Sequence, residues 1–265
     1  MYRVATLLFF LTTSACVPFG GDTPRDEQCD SYELGERPSI LAIGDSIFAW
    51  RNDSCETVPD RVGHQLDRGV KHNAANGARL SGGTHSLQRQ WEPGDWDWVM
   101  VSGGGNDLDI ECECGVDCGP VLDYMISPNA ETGQYVNLIK QIQDNGSSTL
   151  LYGYAEVSED AFYGFGECIG EIDELRRRQS LLAELQPGVV FVDGRDAVSW
   201  SKTPHAYDFD NVHPTKDGAH LIASQLVDAI VESERAAGIT LSGDSSDSSE
   251  STIVERERGR TVVDR

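Results

Sequence analysis

Basic residues are scarce in this chain of 265 residues. It has 21 lysines and arginines against 44 aspartates and glutamates, for a formal net charge of −23. A surface of that sign repels phosphate backbones, so nucleic acid is not an expected partner. An acidic, soluble surface accounts for the charge without any specific cation-binding role.

Long hydrophobic runs are also missing. The chain begins "MYRVATLLFFLTTSAC", where Arg3 precedes an apolar run that is too short to cross a bilayer. We therefore predict an export signal over residues 1–15. Cys16 follows small residues and resembles the lipobox of bacterial lipoproteins, which would attach the chain to a membrane through a lipidated Cys16. Thr13 replaces that motif's usual leucine, so ordinary cleavage after Ala15 remains open. Either route predicts an exported protein, in the cell envelope or outside the cell.

Histidine spacings typical of zinc sites are absent. The sequence contains neither H-x-x-x-H nor H-E-x-x-H. We therefore predict no metal ion and no organic cofactor. Five of the six histidines are not expected to be catalytic: His64, His72, His85, His205 and His220.

The chain has seven cysteines. If Cys16 is a lipid attachment point, six remain, which suits three disulfides in an oxidising compartment. The sequence does not choose among the possible pairings of Cys29, Cys55, Cys112, Cys114, Cys118 and Cys168. A thiolate metal site in "ECECGVDC" is the alternative, but its spacing lacks the paired C-x-x-C of zinc knuckles.

The chain shows no internal repeat, and short apolar runs alternate with amphipathic segments. This alternation predicts an α/β fold, a three-layer α/β/α sandwich around a parallel sheet. Residues 16–37 are rich in Asp, Glu, Gly and Pro and are predicted to be a leader or tether. Residues 239–265 have no apolar period and are predicted to be a disordered tail. Strands are expected at 39–44, 70–75, 97–103, 148–154 and 188–194, and helices at 58–69, 135–146, 171–185 and 214–238.

Ser46 follows the first predicted strand in "ILAIGDSIFAW", residues 40–50. Ligands of parallel sheets bind outside the carboxyl ends of the strands, so its hydroxyl is expected at a functional edge. A serine nucleophile needs a base. A helix N-cap is the alternative role for a serine at such a turn.

A base is available in "DFDNVHPT", residues 208–215, where His213 follows Asp210 by three positions. At that spacing a carboxylate can hold the Nδ1–H of the imidazole while Nε2 points outward. Asp208 is a possible substitute for Asp210.

Donors for a developing oxyanion are expected at the same edge. "SGGGNDL", residues 102–108, presents Asn106 after a strand, and "NAANGARLSGG", residues 73–83, offers Gly77. Together with the backbone N–H of Ser46, they would make three donors of the kind that stabilises acyl-transfer transition states.

The chain resembles the SGNH hydrolases, or GDSL esterases, in four segments that occur in the family's order: G-D-S, a small-residue turn, G-x-N-D and D-x-x-H-P. The resemblance implies a flavodoxin-like hydrolase domain over residues 38–238. It further implies Ser46 as nucleophile, His213 as base, Asp210 as its partner, and an oxyanion hole of Ser46, Gly77 and Asn106. The family often reads N-x-G-x-x-G in its second block, where this chain has Ala75 and Ala78 after Asn73.

The resemblance implies a serine esterase that cleaves carboxylic esters of a small molecule, lipid or glycan, and the predicted export signal adds that this esterase is exported. No G-x-S-x-G surrounds Ser46, which argues against an α/β-hydrolase elbow. Two alternatives remain open. One is an acyltransferase with the same triad that acts on cell-envelope glycans, and the other is a non-catalytic glycan-binding envelope protein.

Overall fold

The computed structural model describes Cys29 and residues 37–114 and 117–238. The predicted export signal, nearly all of the predicted tether and the predicted tail lie outside the described residues.

A five-stranded parallel sheet forms the centre of the molecule. Its strands are β1 (Ile40–Ile43), β2 (Val70–His72), β3 (Trp98–Ser102), β4 (Ser148–Gly153) and β5 (Val189–Asp193), in the spatial order β2-β1-β3-β4-β5. In register, Leu41 of β1 pairs with Lys71 of β2 and Val99 of β3. Every residue of β1 and β3 is buried, as expected for strands covered on both faces.

Nine α-helices are described. They are α1 (Ser46–Ala49), α2 (Val58–Leu66), α3 (Leu87–Gln90), α4 (Gly105–Cys112), α5 (Gly119–Met125), α6 (Gln134–Asp144), α7 (Ile169–Leu185), α8 (Gly194–Ala197) and α9 (Lys216–Ala236). Short 3-10 turns occupy Phe165–Glu167 and Pro204–Ala206.

The strand order divides the helices between the two faces of the sheet. The crossover β1–α2–β2 runs one way across the sheet, whereas β3–α6–β4 and β4–α7–β5 run the other way. Right-handed crossovers therefore place α2 on one face and α6 and α7 on the opposite face. Helix α9 packs against α2 and also contacts β4 and β5. The predicted three-layer, flavodoxin-like architecture is confirmed.

The six described cysteines form three disulfides, Cys29–Cys55, Cys112–Cys118 and Cys114–Cys168. The expectation of three disulfides is thus confirmed, with the pairing that the sequence left open. Cys114–Cys168 joins the segment after α4 to the start of α7. No helix within residues 37–114 and 117–238 is long and apolar enough to span a bilayer.

Candidate active site

Ser46 is the first residue of α1, directly beyond the carboxyl end of β1. The N-cap of this helix is Asp45, whose side chain accepts the Ile47 N–H at 3.0 Å. Because Asp45 takes the capping role, the Ser46 hydroxyl is free for another partner. Its Oγ lies 2.7 Å from Nε2 of His213.

The strand end before Ser46 is held by a buried glutamine. The Gly44 N–H donates to Gln90 Oε1 at 2.6 Å, and Gln90 Nε2 donates back to the Gly44 carbonyl at 2.9 Å. A side chain at Gly44 has no room, since a Cβ there would lie 2.8 Å from the Ser102 carbonyl oxygen. The close approach of β1 to the end of β3 therefore explains the glycine of G-D-S.

His213 and Asp210 form the second part of the site, in the loop before α9. Asp210 Oδ2 lies 2.6 Å from His213 Nδ1, and Asp210 Oδ1 accepts the N–H groups of Val212 at 3.1 Å and His213 at 3.0 Å. Burial alone would raise the pKa of Asp210, but the hydrogen bonds from His213 and the backbone outweigh it and lower that pKa. Asp210 is accordingly held as a carboxylate at neutral pH.

Asp208 does not substitute for Asp210. Its Oδ2 accepts hydrogen bonds from Trp50 Nε1 at 3.1 Å and from Arg51 Nη2 at 2.8 Å. Of the two aspartates considered from the sequence, Asp210 is the one paired with the histidine.

Asn106 lies at the start of α4, beyond the carboxyl end of β3. Its Nδ2 donates one hydrogen to the carbonyl of Ala78 at 3.0 Å, so its second N–H remains for another acceptor. The Ser46 N–H forms no backbone hydrogen bond within the described part of the chain. Both groups are therefore unused donors at this edge of the sheet.

Gly77 lies in an exposed turn with φ +68°. Residues on either side of Gly77 connect this loop to the rest of the site. The Ala75 N–H donates to the Gly44 carbonyl at 3.1 Å, and the Ala78 carbonyl accepts from Asn106 Nδ2. The structure thus brings Ser46, His213, Asp210 and Asn106 to one site and puts Gly77 one residue away from the contact with Asn106.

A buried tyrosine connects three of these segments below the serine. The Tyr154 hydroxyl donates to Asp45 Oδ2 and accepts the Gly105 N–H at 2.8 Å. Burial raises the pKa of Asp45, against the hydrogen bonds from Tyr154 and the Ile47 N–H and against the nearby charge of His213. The network fixes α1 relative to α4 and β4.

Asp107, next to Asn106, is almost fully buried. Both of its carboxylate oxygens accept the Leu80 N–H, at 3.2 and 2.9 Å, which fixes the loop after β2 to α4. Burial raises the pKa of Asp107 to about 7, although that hydrogen bond and the charge of Arg79 lower it.

This raised pKa predicts a pH-dependent cost in stability. An acid whose pKa is raised in the folded state stabilises the fold at pH values below its ordinary, unfolded-state pKa. That stabilisation is lost as the pH rises toward the folded-state pKa of about 7. Asp107→Asn, which keeps an acceptor for Leu80, should therefore raise the unfolding free energy by on the order of 2 kcal/mol at pH 8, with a smaller effect at pH 4. Denaturant titrations at both pH values measure this. Exposed Asp53→Asn is the control, and an equal response from both variants would contradict the prediction.

An apolar cavity of about 40 Å³ opens beside Ser46. Asp45, Ser46, Asn106, Glu156 and Asn211 contribute the polar groups. Most of the lining is aliphatic or aromatic, including Val157, Phe165, Val198, Tyr207, Val212 and Ile222. Phe165 lies three residues before Cys168, so the Cys114–Cys168 disulfide fixes the segment that carries part of this lining.

Three residues of the site were not expected from the sequence: Gln90, Tyr154 and Trp50. Trp50 stacks on the ring of His213, with centroids 3.8 Å apart. Its position four residues after Ser46, about one helical turn, is the one sequence signal that could have indicated it. Gln90 and Tyr154 carry no such signal, since their partners are distant in the sequence. Within the described ranges, no group of His, Cys, Asp and Glu side chains is arranged to hold a metal ion.

Several solved structures of other proteins share the fold of this chain. A mutant of an acetyl-xylooligosaccharide esterase from Geobacillus stearothermophilus is 20% identical, with a TM-score of 0.53 over 75% of this chain and 96% of that one. A candidate GDSL-like lipase from Parabacteroides merdae is 17% identical, with a TM-score of 0.55 over 78% of this chain and 99% of that one. A Lactobacillus plantarum protein is 22% identical, with a TM-score of 0.54 over 74% and 97%.

At such identities the structures establish the fold and not the substrate. No curated protein matches the chain. The sequence model of the GDSL-like lipase/acylhydrolase family, however, matches residues 42–221, more than half of the chain, and this range includes Ser46, Asn106, Asp210 and His213. The chain therefore belongs to the GDSL-like lipase/acylhydrolase family, a family of ester-bond hydrolases.

Proposed function

We propose that this protein is an exported serine esterase that hydrolyses carboxylic esters through an acyl-enzyme. The observation that carries the proposal is the hydrogen-bonded chain from Asp210 through His213 to Ser46, with distances of 2.6 and 2.7 Å. A serine within hydrogen-bond reach of a base that is oriented by a third group is an activated nucleophile.

In the first step Ser46 Oγ attacks the ester carbonyl carbon while His213 Nε2 takes its proton. The tetrahedral intermediate then collapses, the bond to the alcohol oxygen breaks, and His213 returns the proton to the leaving alcohol. In the second step His213 takes a proton from water, which attacks the acyl carbonyl. The second tetrahedral intermediate collapses, the bond between the acyl carbon and Ser46 Oγ breaks, and His213 returns the proton to Oγ as the acid leaves. Asp210 remains a carboxylate throughout and stabilises the imidazolium.

The oxyanion of each intermediate needs donors that are already in place. The unused Ser46 N–H and the second Nδ2–H of Asn106 are two of them. For the third, the predicted Gly77 N–H remains our proposal. Asp107 and Asn106 support this loop from α4 through Leu80 and Ala78.

The acyl group accepted by the cavity should be short. The cavity beside Ser46 is small, about 40 Å³, and mostly apolar, which favours a group as short as acetyl over a long chain. We therefore propose acetyl esters of a small molecule or a glycan as the substrate class. The three disulfides support the export of the protein, and its membrane attachment through Cys16 remains part of the proposal.

This proposal predicts a strong dependence on acyl length. With p-nitrophenyl esters from acetyl to decanoyl, kcat/KM should be highest for acetyl and at least about tenfold lower for decanoyl, since the longer chain has no apolar volume to enter. Val198→Ala should widen the cavity and move the optimum toward butyryl. Val192→Ala is the matched control, because Val192 is buried on β5 but does not line the cavity. An optimum at decanoyl in the wild type would refute the acetyl assignment.

The test of the esterase itself is turnover of these esters together with trapping of the acyl-enzyme. A burst of p-nitrophenol and a mass increase of one acyl group on the peptide that contains Ser46 are expected. A folded, disulfide-intact protein that hydrolyses no ester would contradict the proposal. Acyl transfer to an added glycan in preference to water would assign the acyltransferase alternative instead.

A further inference from the structure

The indole of Trp50 covers one face of the His213 imidazole. The two rings are nearly parallel, with an interplanar angle of 5° and centroids 3.8 Å apart. Trp50 is the C-cap of α1, and its backbone N–H donates to the Ser46 carbonyl at 2.8 Å. The short helix that begins with the proposed nucleophile therefore ends with the residue stacked on the proposed base.

The orientation of the indole is itself fixed. Its Nε1–H donates to Asp208 Oδ2, the same oxygen that accepts Arg51 Nη2. The Asp208 N–H in turn donates to the His213 carbonyl at 2.7 Å. Burial would raise the pKa of Asp208, but the hydrogen bonds from Trp50 and the Phe209 N–H and the charge of Arg51 lower it, so Asp208 is a carboxylate. These bonds connect Trp50 to the loop that carries His213.

A stacked indole affects the charged and the neutral imidazole differently. When His213 accepts the Ser46 proton it becomes a cation, and a cation over the face of tryptophan is attracted by the ring quadrupole. The other charged groups around His213 are the Asp210 carboxylate at Nδ1, Asp45 beneath α1, and the Asp208–Arg51 pair on the far edge of the indole. Trp50 differs from these groups because it is an uncharged aromatic side chain that stacks face to face on the His213 imidazole.

We propose that Trp50 is a positioning residue of this site. It restrains the imidazole plane so that Nε2 points at Ser46, and its π face stabilises the imidazolium that forms in both steps. This inference rests on the proposed esterase function, in which His213 is the base.

The test compares Trp50→Phe, which keeps an aromatic face, with Trp50→Leu, which fills space without one. Trp50→Leu should lower kcat for p-nitrophenyl acetate about 3- to 30-fold while KM changes less than about twofold, and Trp50→Phe should retain most of kcat. The acid limb of the kcat/KM profile should move to lower pH by about 0.4–0.7 unit in the leucine variant. Equal kcat and equal pH profiles for the two variants would overturn the proposal, since packing alone would then account for the contact.

A second readout does not require turnover. In a Ser46→Ala background with ¹³C-labelled histidine, the NMR titration of the His213 ring is followed with Trp, Phe, Leu or Met at position 50, and the His213→Asn spectrum identifies its signal among the six histidines. The titration midpoint should be lower with Leu or Met than with Trp or Phe. Equal midpoints would overturn the proposal. The Trp50→Met variant takes the place of Trp50→Leu in this comparison if the leucine variant does not fold. If the wild type hydrolyses no ester, the esterase proposal fails, while this titration still tests the stabilisation of the cation.

Discussion

Replacing Ser46 with alanine is expected to lower kcat for ester hydrolysis by about 10⁴- to 10⁶-fold, since loss of the nucleophile of a serine protease costs about 2 × 10⁶ in kcat. The hydroxyl that lies 2.7 Å from His213 Nε2 forms the covalent bond to the acyl group, and no neighbouring atom replaces it. Folding should be almost unchanged, because the cap of α1 is supplied by Asp45 and not by Ser46. Initial rates with p-nitrophenyl acetate, together with thermal unfolding, test both parts.

Ser81→Ala is the matched control for this substitution. Ser81 is a half-buried serine in the loop after β2, and its hydroxyl bonds to Tyr124 and not to the site. Its loss should change kcat less than about threefold. Turnover that persists in Ser46→Ala at more than a hundredth of the wild-type rate would show that another nucleophile acts. Retained glycan binding by both variants without any turnover would assign the chain as a binding protein.

The fold could be predicted from the sequence because its strands are continuous apolar runs. "SILAIG" and "DWVMVSG" contain the fully buried strands β1 and β3, and the amphipathic segments that follow the strands form α2, α6, α7 and α9. Burial on both faces is what makes a parallel strand apolar throughout, so the pattern and the layer arrangement have one cause. The sequence predicts the ends of the helices less exactly. The last helix is expected from residue 214 but starts at Lys216, because Thr215 is its N-cap and accepts the Gly218 N–H.

The site was predictable to the extent that strand ends bring residues together. Ser46 follows β1, Asn106 follows β3, and parallel strands present their carboxyl ends at one edge. The side chains that support this edge were not predictable. Gln90 binds Gly44 from 46 residues away and Tyr154 binds Asp45 from 109 residues away, and no local pattern encodes such pairs. The disulfide pairing was likewise fixed by the tertiary structure, since six cysteines allow 15 pairings.

Asp210→Asn should have the second-largest effect, a loss of about 10⁴-fold in kcat, which is the cost of the corresponding change in a serine protease. Asparagine can still accept the N–H groups of Val212 and His213 through Oδ1, so the loop should keep its conformation. Its amide Nδ2 would, however, face Nδ1 as a donor. That arrangement favours the imidazole tautomer with the proton on Nε2, which cannot take the proton of Ser46.

Asp208→Asn is the comparison that separates the two aspartates of "DFDNVHPT". The Asp208 carboxylate binds Trp50 and Arg51 and not the imidazole, so its substitution should lower kcat by no more than about tenfold. A crystal structure or thermal unfolding of each variant shows whether the loop is intact. Equal losses in the two variants would contradict the assignment of Asp210 as the partner of the base. A loss confined to Asp210→Asn would show that catalysis depends on the carboxylate at Nδ1 and not on the negative charge of the loop.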